Sequence, residues 1–353
     1  MARRTCRNRG SIIIVTPLRE AGDVAVRSLT QPLSDVFDLL RTGHRRSRVA
    51  ERRIGWQVVN LDVNGRRLRY RVTDNVEASR ANDDPQMWAM SLHGYFAGGS
   101  MYARESESLA SRFGWRVVNP SLPGFGGSDP LAHANVTMAD LTDEISRIRE
   151  HLGIDRMVLL GHSMGAAVAM HYAAIHPGAV VGIVYRDGVA PPSWQQRHGA
   201  VARLLARSLP DLAPVADMAA AVTLDLPDLL VGHALATVRA MLPDLRHNFR
   251  TLVRSQPIAS MLMNLDLSDD VRRVRSLGIP VLAEWGCFDR LIPSSTATEF
   301  AEVAGMDVHW VPGGHSWMLA RPGGQADVLT SMWWGRAFIE AIGARSAALG
   351  AAT

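Results

Sequence analysis

The sequence predicts an α/β fold built on a mostly parallel sheet with helices on both of its faces. Short apolar segments of strand length alternate with helical segments from residue 87 to residue 185, and the alternation resumes at residue 280. Strands that alternate with helices lie parallel, because each helix carries the chain back to the start of the next strand. The chain of 353 residues, of which 47% are hydrophobic, is long enough to bury the core of such a fold.

The first element of the predicted sheet is a hairpin. Apolar and polar residues alternate from Trp56 to Val63 and again from Leu68 to Val72, and Asn64-Gly65 joins the two runs. This dipeptide between two alternating runs is typical of a two-residue hairpin turn. Further along the chain, the periodicity predicts strands at 87–92, 115–119, 157–160 and 180–185, and helices at 101–113, 138–152 and 164–175.

Residues 191–278 interrupt the alternation and predict an all-helical insert. They contain 16 Leu, seven Pro and no convincing strand. Leu-Pro-Asp-Leu occurs three times, and each copy predicts a helix start, because Pro suits the first helical position and Asp the N-terminal end of the helix dipole. The copies lie at 209–212, 226–229 and 242–245. Beyond the insert, the pattern predicts strands at 280–285 and 307–311 and helices at 294–304 and 325–342.

The positive charge of the chain is concentrated at its N-terminus. All 38 basic residues are Arg, and residues 1–53 hold 12 of them against 5 acidic residues, whereas the rest holds 26 against 29. The body is therefore not predicted to bind nucleic acid, whereas the basic arm is expected to contact anionic membrane surfaces weakly. The arm resembles an export signal only weakly, and the two distant cysteines, Cys6 and Cys287, fit a reducing compartment, so a cytoplasmic location is expected.

A candidate nucleophile lies on a turn between a predicted strand and a predicted helix. Gly161-His162-Ser163-Met164-Gly165 directly follows the strand at 157–160 and precedes the helix. A serine on such a turn is strained and exposed at the end of the sheet, and the residues two positions before and after it must be small. Both are Gly, which predicts that Ser163 is a nucleophile; the alternative is a glycine-rich turn without chemistry.

The predicted base is His315. A serine hydroxyl is a poor nucleophile until a base takes its proton, and a histidine after a late strand is suited to that task. His315 follows the strand at 307–311, and Gly313-Gly314 lets its loop bend back toward the edge of the sheet. The other candidates are weaker, because His309 lies inside that strand and His162 is expected to point away from the serine hydroxyl.

The predicted acid, which orients the base and stabilises its cation, is Asp289. It follows the strand at 280–285 on a loop at the carboxyl edge of the sheet, where open α/β sheets place their sites. Asp187, after the strand at 180–185, is the alternative acid, and its other role would be to cap the turn into the insert.

The oxyanion of the reaction intermediate needs two backbone N–H donors. The N–H of Met164, at the start of the helix after the serine, is one candidate. The other donor is expected from the loop after the strand at 87–92, where Tyr95 is the first choice and Phe96 the second.

Two tryptophans are candidate walls of a substrate site. Trp194 lies in the insert, and Trp317 lies two residues after the base, although packing under the insert is an equally strong role for Trp317. No cluster of His, Asp and Glu has metal-ligand spacing, and no phosphate or dinucleotide loop occurs. The sequence therefore predicts neither a metal nor a cofactor.

Five motifs, in this order along the chain, resemble those of the α/β-hydrolase superfamily. The oxyanion loop of that family matches His93-Gly94, and the loop after its fourth strand matches residues 123–129. Its nucleophile elbow matches 161–165, its acid loop matches 286–293 and its histidine loop matches Gly314-His315. The resemblance covers about residues 55–343 and implies an eight-stranded, mostly parallel sheet with a helical cap inserted after the sixth strand. The expected division is a basic N-terminal extension over 1–54, a core over 55–190 and 279–343, a helical cap over 191–278 and a flexible, Ala/Gly/Ser-rich tail over 344–353.

The resemblance is to the serine hydrolase branch, which includes esterases and lipases, because Ser163 stands where epoxide hydrolases and haloalkane dehalogenases use Asp. It implies cleavage of an ester with a largely apolar acyl group through an acyl-enzyme intermediate, without a cofactor. Hydrolysis of thioesters, amides or carbon–carbon bonds on the same three residues stays open, as does a ligand sensor with slow or single turnover. A scaffold without an active site is disfavoured, because every position of the triad is filled.

Overall fold

The fold is centred on one eight-stranded sheet. A computed structural model of the chain describes residues 54–74, 87–189, 234–292 and 294–351. The strand order is β1-β2-β4-β3-β5-β6-β7-β8, in which β1–β2 and β2–β4 pair antiparallel and every other pair is parallel. The strands are β1 (Gly55–Val63), β2 (Arg66–Asp74), β3 (Trp88–Leu92), β4 (Arg116–Pro120), β5 (Met157–His162), β6 (Val180–Arg186), β7 (Val281–Gly286) and β8 (Val308–Val311). The predicted fold class is confirmed.

The hairpin of β1 and β2 turns at Asn64-Gly65, as predicted. Both residues adopt left-handed backbone conformations, with φ of 54° and 78°. A two-residue turn with positive φ at both positions matches the twist of the flanking strands, which explains why Asn and Gly occur there. The Gly65 N–H also donates to Asp62 Oδ1 at 2.9 Å, which closes the turn.

The central strands are buried on both faces, because helices cover both sides of the sheet. Every residue of β5 and β6 is buried. In β5, Leu159 belongs to one hydrophobic cluster and Val158 and Leu160 to the other, since successive side chains of a strand point to opposite faces. Such strands read as continuous apolar runs in the sequence, whereas β1, at the edge, alternates.

Ten α-helices lie within the described residues, and a 3-10 turn at Leu252–Ser255 joins the fourth and fifth. They are α1 (Ala103–Phe113), α2 (Met138–His151), α3 (Met164–Ile175), α4 (Ala234–Thr251), α5 (Gln256–Met263), α6 (Ser268–Ser276), α7 (Ser294–Ala304), α8 (Trp317–Ala320), α9 (Gly324–Ser331) and α10 (Trp333–Ala351). None of these helices combines the length and the apolar content that a membrane span requires.

The C-terminal region differs from its prediction. The single helix predicted at 325–342 is two helices, α9 and α10, and α10 continues to Ala351. The expected flexible tail over 344–353 is therefore wrong for residues 344–351. The physical reason is that the Arg345 guanidinium donates to the carbonyls of Val180 and Pro177, at 3.0 and 2.9 Å, which ties the last helix to the core.

The insert is helical where the structure describes it, from residue 234 onward, whereas residues 191–233, with Trp194, lie outside the described residues. The third Leu-Pro-Asp-Leu copy does not start a helix, because Pro243 lies inside α4. Asp244, the next residue, is buried and accepts a hydrogen bond from the Ser100 N–H at 3.0 Å. This contact with the core keeps residues 242–245 helical in spite of the proline.

Helix α6 belongs to the core rather than to the insert. Asp270 contacts His171 of α3 at 2.8 Å, and Arg273 donates to the Ala174 carbonyl at 2.8 Å. A parallel strand pair needs such a crossover helix, and α6 supplies it between β6 and β7. The core therefore resumes before Ser268, and the predicted boundary at residue 279 is too late.

A buried charge cluster lies where β6 and β7 end. Arg186 forms an ion pair with Glu105, and Gln325 donates to Glu284 Oε1 at 3.2 Å; all four side chains are buried. One guanidinium cannot neutralise two buried carboxylates. Burial raises the pKa of Glu284 to about 8, against the opposing effect of Arg186, which favours the protonated, neutral form at pH 7.

Replacing Glu284 by Gln is expected to flatten the pH dependence of stability. Between the unfolded pKa, near ~4.5, and about 8, only the folded state keeps the Glu284 proton. The free energy of unfolding of the parent should therefore fall relative to Glu284→Gln as pH rises, by up to ~1.4 kcal/mol per pH unit. Urea unfolding at pH 5, 6, 7 and 8 measures this difference. Glu302→Gln, at an exposed position of α7, is the control; parallel curves for the parent and Glu284→Gln would contradict the prediction.

Candidate active site

Ser163 lies on a strained turn between β5 and α3. Its backbone has φ 54° and ψ −119°, a conformation that is costly for any residue with a side chain. A Cβ at Gly165 would collide with the Leu92 carbonyl oxygen, and a Cβ at Gly161 would collide with the backbone of Ala166. The close approach of strand and helix therefore explains why the residues two positions before and after the serine are glycines.

His315 and Asp289 are brought together by the loops that follow β8 and β7. His315 Nδ1 lies 2.8 Å from Asp289 Oδ2, and both side chains are almost completely buried. The other oxygen of Asp289 accepts the N–H groups of Leu291 and Ile292, each at 2.8 Å, which fixes the carboxylate. Because a carboxylate accepts hydrogen bonds, Nδ1 carries a proton, and Nε2 is the ring nitrogen suited to act as a base.

A chain of hydrogen bonds through His162 links three loops of the site. The Gly94 N–H donates to the Tyr102 hydroxyl at 3.3 Å, which lies 2.5 Å from His162 Nδ1, and His162 Nε2 lies 2.8 Å from the His315 carbonyl. Burial, with the charges of His315 and Arg186, holds the pKa of His162 well below its usual range. Neutral His162 therefore donates from Nε2 and accepts at Nδ1. It holds the histidine loop beside the serine turn.

Asp187, the alternative acid, also lies close to His315 in the structure. One atom from each of Asp187, Asp289 and His315 lies within 4.8 Å of the others. Asp187 Oδ1 accepts the Gly286 N–H at 2.7 Å and Oδ2 accepts the Trp317 indole N–H at 3.0 Å. Burial and the charge of Asp289 raise its pKa well above the ordinary range, which favours the protonated form. Asp289 makes the 2.8 Å hydrogen bond to Nδ1 of the His315 ring.

The side chains of Asp187, Asp289 and His315 also have the composition of a small metal site. All four carboxyl oxygens already accept hydrogen bonds: one of Asp289 from His315, the other from two backbone N–H groups, and both of Asp187 from Gly286 and Trp317. Oxygens committed to N–H donors are poorly arranged for a cation. The geometry fits an acid–base group better than a metal site.

Trp317 is a packing residue in the structure. Its side chain is fully buried, with 2% of the residue exposed, and its indole N–H is bonded to Asp187. This favours the packing alternative over the predicted role as an open wall of a substrate site.

The loop after β3 lies against the serine turn. A Cβ at Gly94 would lie 3.2 Å from the Ser163 Cβ, so the predicted source of one oxyanion donor adjoins the nucleophile. Phe96, in the same loop, has a left-handed φ of 61°. Met164 is the first residue of α3, where the N–H groups have no acceptor within the helix. The structure thus brings both predicted sources of oxyanion donors, the 93–101 loop and the start of α3, to Ser163.

His93 fixes the start of that loop. Its Nδ1 lies 2.8 Å from the Gly94 carbonyl, and its Nε2 accepts the Leu122 N–H at 2.8 Å. Burial lowers the pKa of His93 to about 4, so the ring is neutral and can accept and donate at once. The sequence predicted that His93-Gly94 belongs to the oxyanion loop, but it indicated no bonding role for the His93 ring and no role for Tyr102. The available signal was that both His93 and His162 lie where a parallel strand ends.

A family model described as the alpha/beta hydrolase fold matches residues 90–322, which is more than half of the chain. The chain belongs to the α/β hydrolase family. The match includes the serine turn, the acid loop and the histidine loop, so the candidate site lies within the matched part of this α/β hydrolase.

Three proteins show the range of relatives of this α/β hydrolase. It is 28% identical over 245 residues to the "Putative non-heme haloperoxidase" of Mycobacterium phage D29, covering 67% of this chain and 84% of the phage protein. It is 26% identical over 266 residues to the 2-hydroxy-6-oxononadienedioate/2-hydroxy-6-oxononatrienedioate hydrolase of Klebsiella pneumoniae, covering 71% and 85%. A structure from work on carboxylesterases of Nitrososphaera gargenis superposes with a TM-score of 0.56 at 19% identity, covering 81% and 98%, a likeness of fold.

Proposed function

We propose that this hydrolase cleaves carboxylic esters through an acyl-enzyme intermediate on Ser163, with His315 as the base and Asp289 as the orienting acid. The observation that carries the proposal is the hydrogen bond from His315 Nδ1 to Asp289, which supports Nε2 as the basic nitrogen. A second observation supports this chemistry: the carbonyl of His315 is bonded to Nε2 of His162, the residue next to Ser163.

In the proposed reaction, Ser163 Oγ attacks the ester carbonyl carbon while His315 Nε2 takes its proton. The carbonyl electron pair moves to the oxygen, which the N–H groups of Met164 and of Tyr95 or Phe96 stabilise. The imidazolium, stabilised by Asp289, then gives its proton to the departing alcohol. Water enters, and His315 takes a proton from it as its oxygen attacks the acyl-enzyme carbonyl carbon. The imidazolium then returns this proton to Ser163 Oγ as the bond to the acyl carbon breaks and the carboxylic acid leaves.

The substrate class that we propose is an ester with an apolar acyl group of medium length. On the described part of the insert, Phe249 packs edge-on against Phe96 of the candidate oxyanion loop, with ring centroids 5.4 Å apart, while 59% of Phe249 stays exposed. Such a pair offers apolar surface next to the candidate oxyanion loop, and each CH₂ of an acyl chain buried there would contribute up to ~0.8 kcal/mol.

The acyl-chain profile tests this substrate class. With p-nitrophenyl esters from acetate to palmitate, kcat/KM is expected to rise toward medium chains and to fall when the chain outgrows the site. Phe249→Ala should lower kcat/KM for medium chains more than for acetate. Val253→Ala, which removes another exposed apolar side chain of the insert, is the control and should leave the profile unchanged. A profile that peaks at acetate and declines steadily would contradict the apolar acyl site.

Two other functions of the same residues are separable from ester hydrolysis. The Klebsiella relative is named as a hydrolase of oxo-diacids, which favours carbon–carbon bond cleavage as the second candidate. A substrate whose carbon–carbon bond lies β to a carbonyl, assayed beside the esters, distinguishes the two by their kcat/KM values. A ligand sensor would release one equivalent of p-nitrophenol and then stall, whereas the proposed enzyme turns over steadily.

A further inference from the structure

Helix α4 of the insert forms hydrogen bonds with the core through one polar face. Asp244, His247, Asn248 and Thr251 lie three or four residues apart and therefore share that face. Asp244 accepts the Ser100 N–H at 3.0 Å, and Thr251 donates to the Gly124 carbonyl at 2.8 Å. His247 Nε2 lies 3.1 Å from the Ser128 carbonyl. The face thus contacts two loops, residues 93–101, the candidate oxyanion loop, and residues 121–129, called the 121–129 loop here.

Asn248 is the residue that joins both loops. Its Nδ2 group donates to the carbonyls of Phe96 and Ala97, at 2.8 and 2.9 Å, and its Oδ1 accepts the Gly126 N–H at 2.8 Å. Only 1% of the residue is exposed, so water does not compete for these bonds. An amide is the neutral side-chain group that can hold two carbonyls and one N–H at the same time.

The carbonyls that Asn248 holds, those of Phe96 and Ala97, lie directly on the C-terminal side of a strained backbone conformation. Phe96 has a φ of 61°, which is rare for a large side chain and persists only when the surroundings impose it. With the carbonyl of Phe96 held in place, rotation about the backbone bonds of Phe96 would move its own N–H and the N–H of Tyr95. These two groups are the candidate oxyanion donors. The side chain of Tyr95, the other donor residue, is also bound by the insert, with its hydroxyl 3.1 Å from Ser255 Oγ.

We propose that Asn248 is a positioning residue, which holds the backbone of Phe96 so that the oxyanion loop presents its N–H donors to the intermediate on Ser163. The inference rests on the proposed function, since it assigns to the insert a part in forming the oxyanion site of that reaction. It follows that the insert acts on the chemical step. Asn248 itself does not touch the reacting atoms.

Asn248→Asp isolates the donor role, because the carboxylate keeps an oxygen for the Gly126 N–H and replaces the amide that holds the two carbonyls. The oxyanion develops only in the transition state, so kcat should fall roughly 10–100-fold while KM changes little. Asn248→Ala, which adds no charge near Asp244, is the second variant and should show the same kcat loss. Thr251→Val, on the same helix face but bonded to the 121–129 loop, is the matched control and should keep kcat within about threefold.

The inhibition constant of a trifluoromethyl ketone with the preferred acyl chain measures directly how well the oxyanion site is formed. Ser163 Oγ adds to its carbonyl, the serine proton passes to His315, and the resulting hemiketal oxyanion needs the same donors as the intermediate. The inhibition constant of this ketone should rise in the Asn248 variants by the same factor as kcat falls. The constant of the matching methyl ketone, which binds without adding, should stay unchanged. Thermal unfolding checks that the variants are compared as folded proteins.

Three results would overturn the proposal: unchanged kcat and ketone affinity in the Asn248 variants, a loss confined to KM, or an equal loss in Thr251→Val. Failure of the proposed function looks different, because the parent protein would then turn over no ester. Binding of the trifluoromethyl ketone is measurable without turnover, so the role of Asn248 is decided in that case as well.

Discussion

Replacing Ser163 by Ala is expected to lower ester turnover by roughly 10⁴–10⁶-fold while the fold stays intact. The hydroxyl is the only group of the site that forms a bond to the acyl carbon in the proposed mechanism, and the base has nothing to activate without it. The change removes one oxygen from a turn whose strained backbone is set by Gly161, Gly165 and the packing of α3. Steady-state kinetics with a p-nitrophenyl ester and labelling with a fluorophosphonate measure the loss.

Ser146→Ala is a matched control for this experiment. Ser146 is a serine of α2 whose hydroxyl lies 3.5 Å from the Tyr172 hydroxyl, away from the loops of the site. This variant should keep both turnover and labelling. Turnover by Ser163→Ala within tenfold of the parent, or labelling of a different residue, would show that the nucleophile has been assigned wrongly.

Asp289→Asn is expected to lower kcat by about 10⁴-fold. The amide oxygen would accept the Leu291 and Ile292 N–H groups, as Oδ1 does now, so the NH₂ group would face His315 Nδ1 and favour the wrong tautomer of the base. The structure supports a much smaller effect of Asp187→Asn. Asp187 is held toward its neutral form by burial and by the charge of Asp289, and Asn is neutral and of the same shape. Comparing kcat for the two variants on one ester decides between the carboxyl groups.

The variants Asp289→Asn and Asp187→Asn should also differ in their effect on protein stability. Asp187 accepts N–H groups on both oxygens, and Asn has one oxygen, so Asp187→Asn leaves Gly286 or Trp317 without an acceptor. That change should lower the free energy of unfolding by ~1–3 kcal/mol. A larger kcat loss in Asp187→Asn than in Asp289→Asn would reverse the assignment of the acid.

Much of the fold was predictable because its signals are local. The apolar runs of β5 and β6 predict buried parallel strands, and Asn64-Gly65 predicts the hairpin turn that the structure shows. The glycines around Ser163 predict a strained strand-to-helix turn, since only a small residue fits there. In each case a few consecutive residues carry the whole physical constraint.

The errors of prediction have a common cause in contacts between distant residues. Residues 242–245 read as a helix start, but Asp244 bonds to Ser100 and keeps Pro243 inside α4. The sequence assigns helix α6 to the insert, but the hydrogen bond between its Asp270 and His171 places it on the core. The tail reads as flexible, but Arg345 ties it to the carbonyls of residues 177 and 180.

The sequence by itself determined the fold class, the order of the strands and helices, and the residue types suited to nucleophile, base and acid, because periodicity and turn chemistry are written in neighbouring residues. Only the tertiary structure decided which side chains meet. It placed both Asp187 and Asp289 at His315, made His162 the bond between the histidine loop and the serine turn, and set Asn248 against the carbonyl of Phe96. These contacts join residues up to 153 positions apart in the chain, and the packing of the loops at one edge of the sheet is what brings them within hydrogen-bond distance.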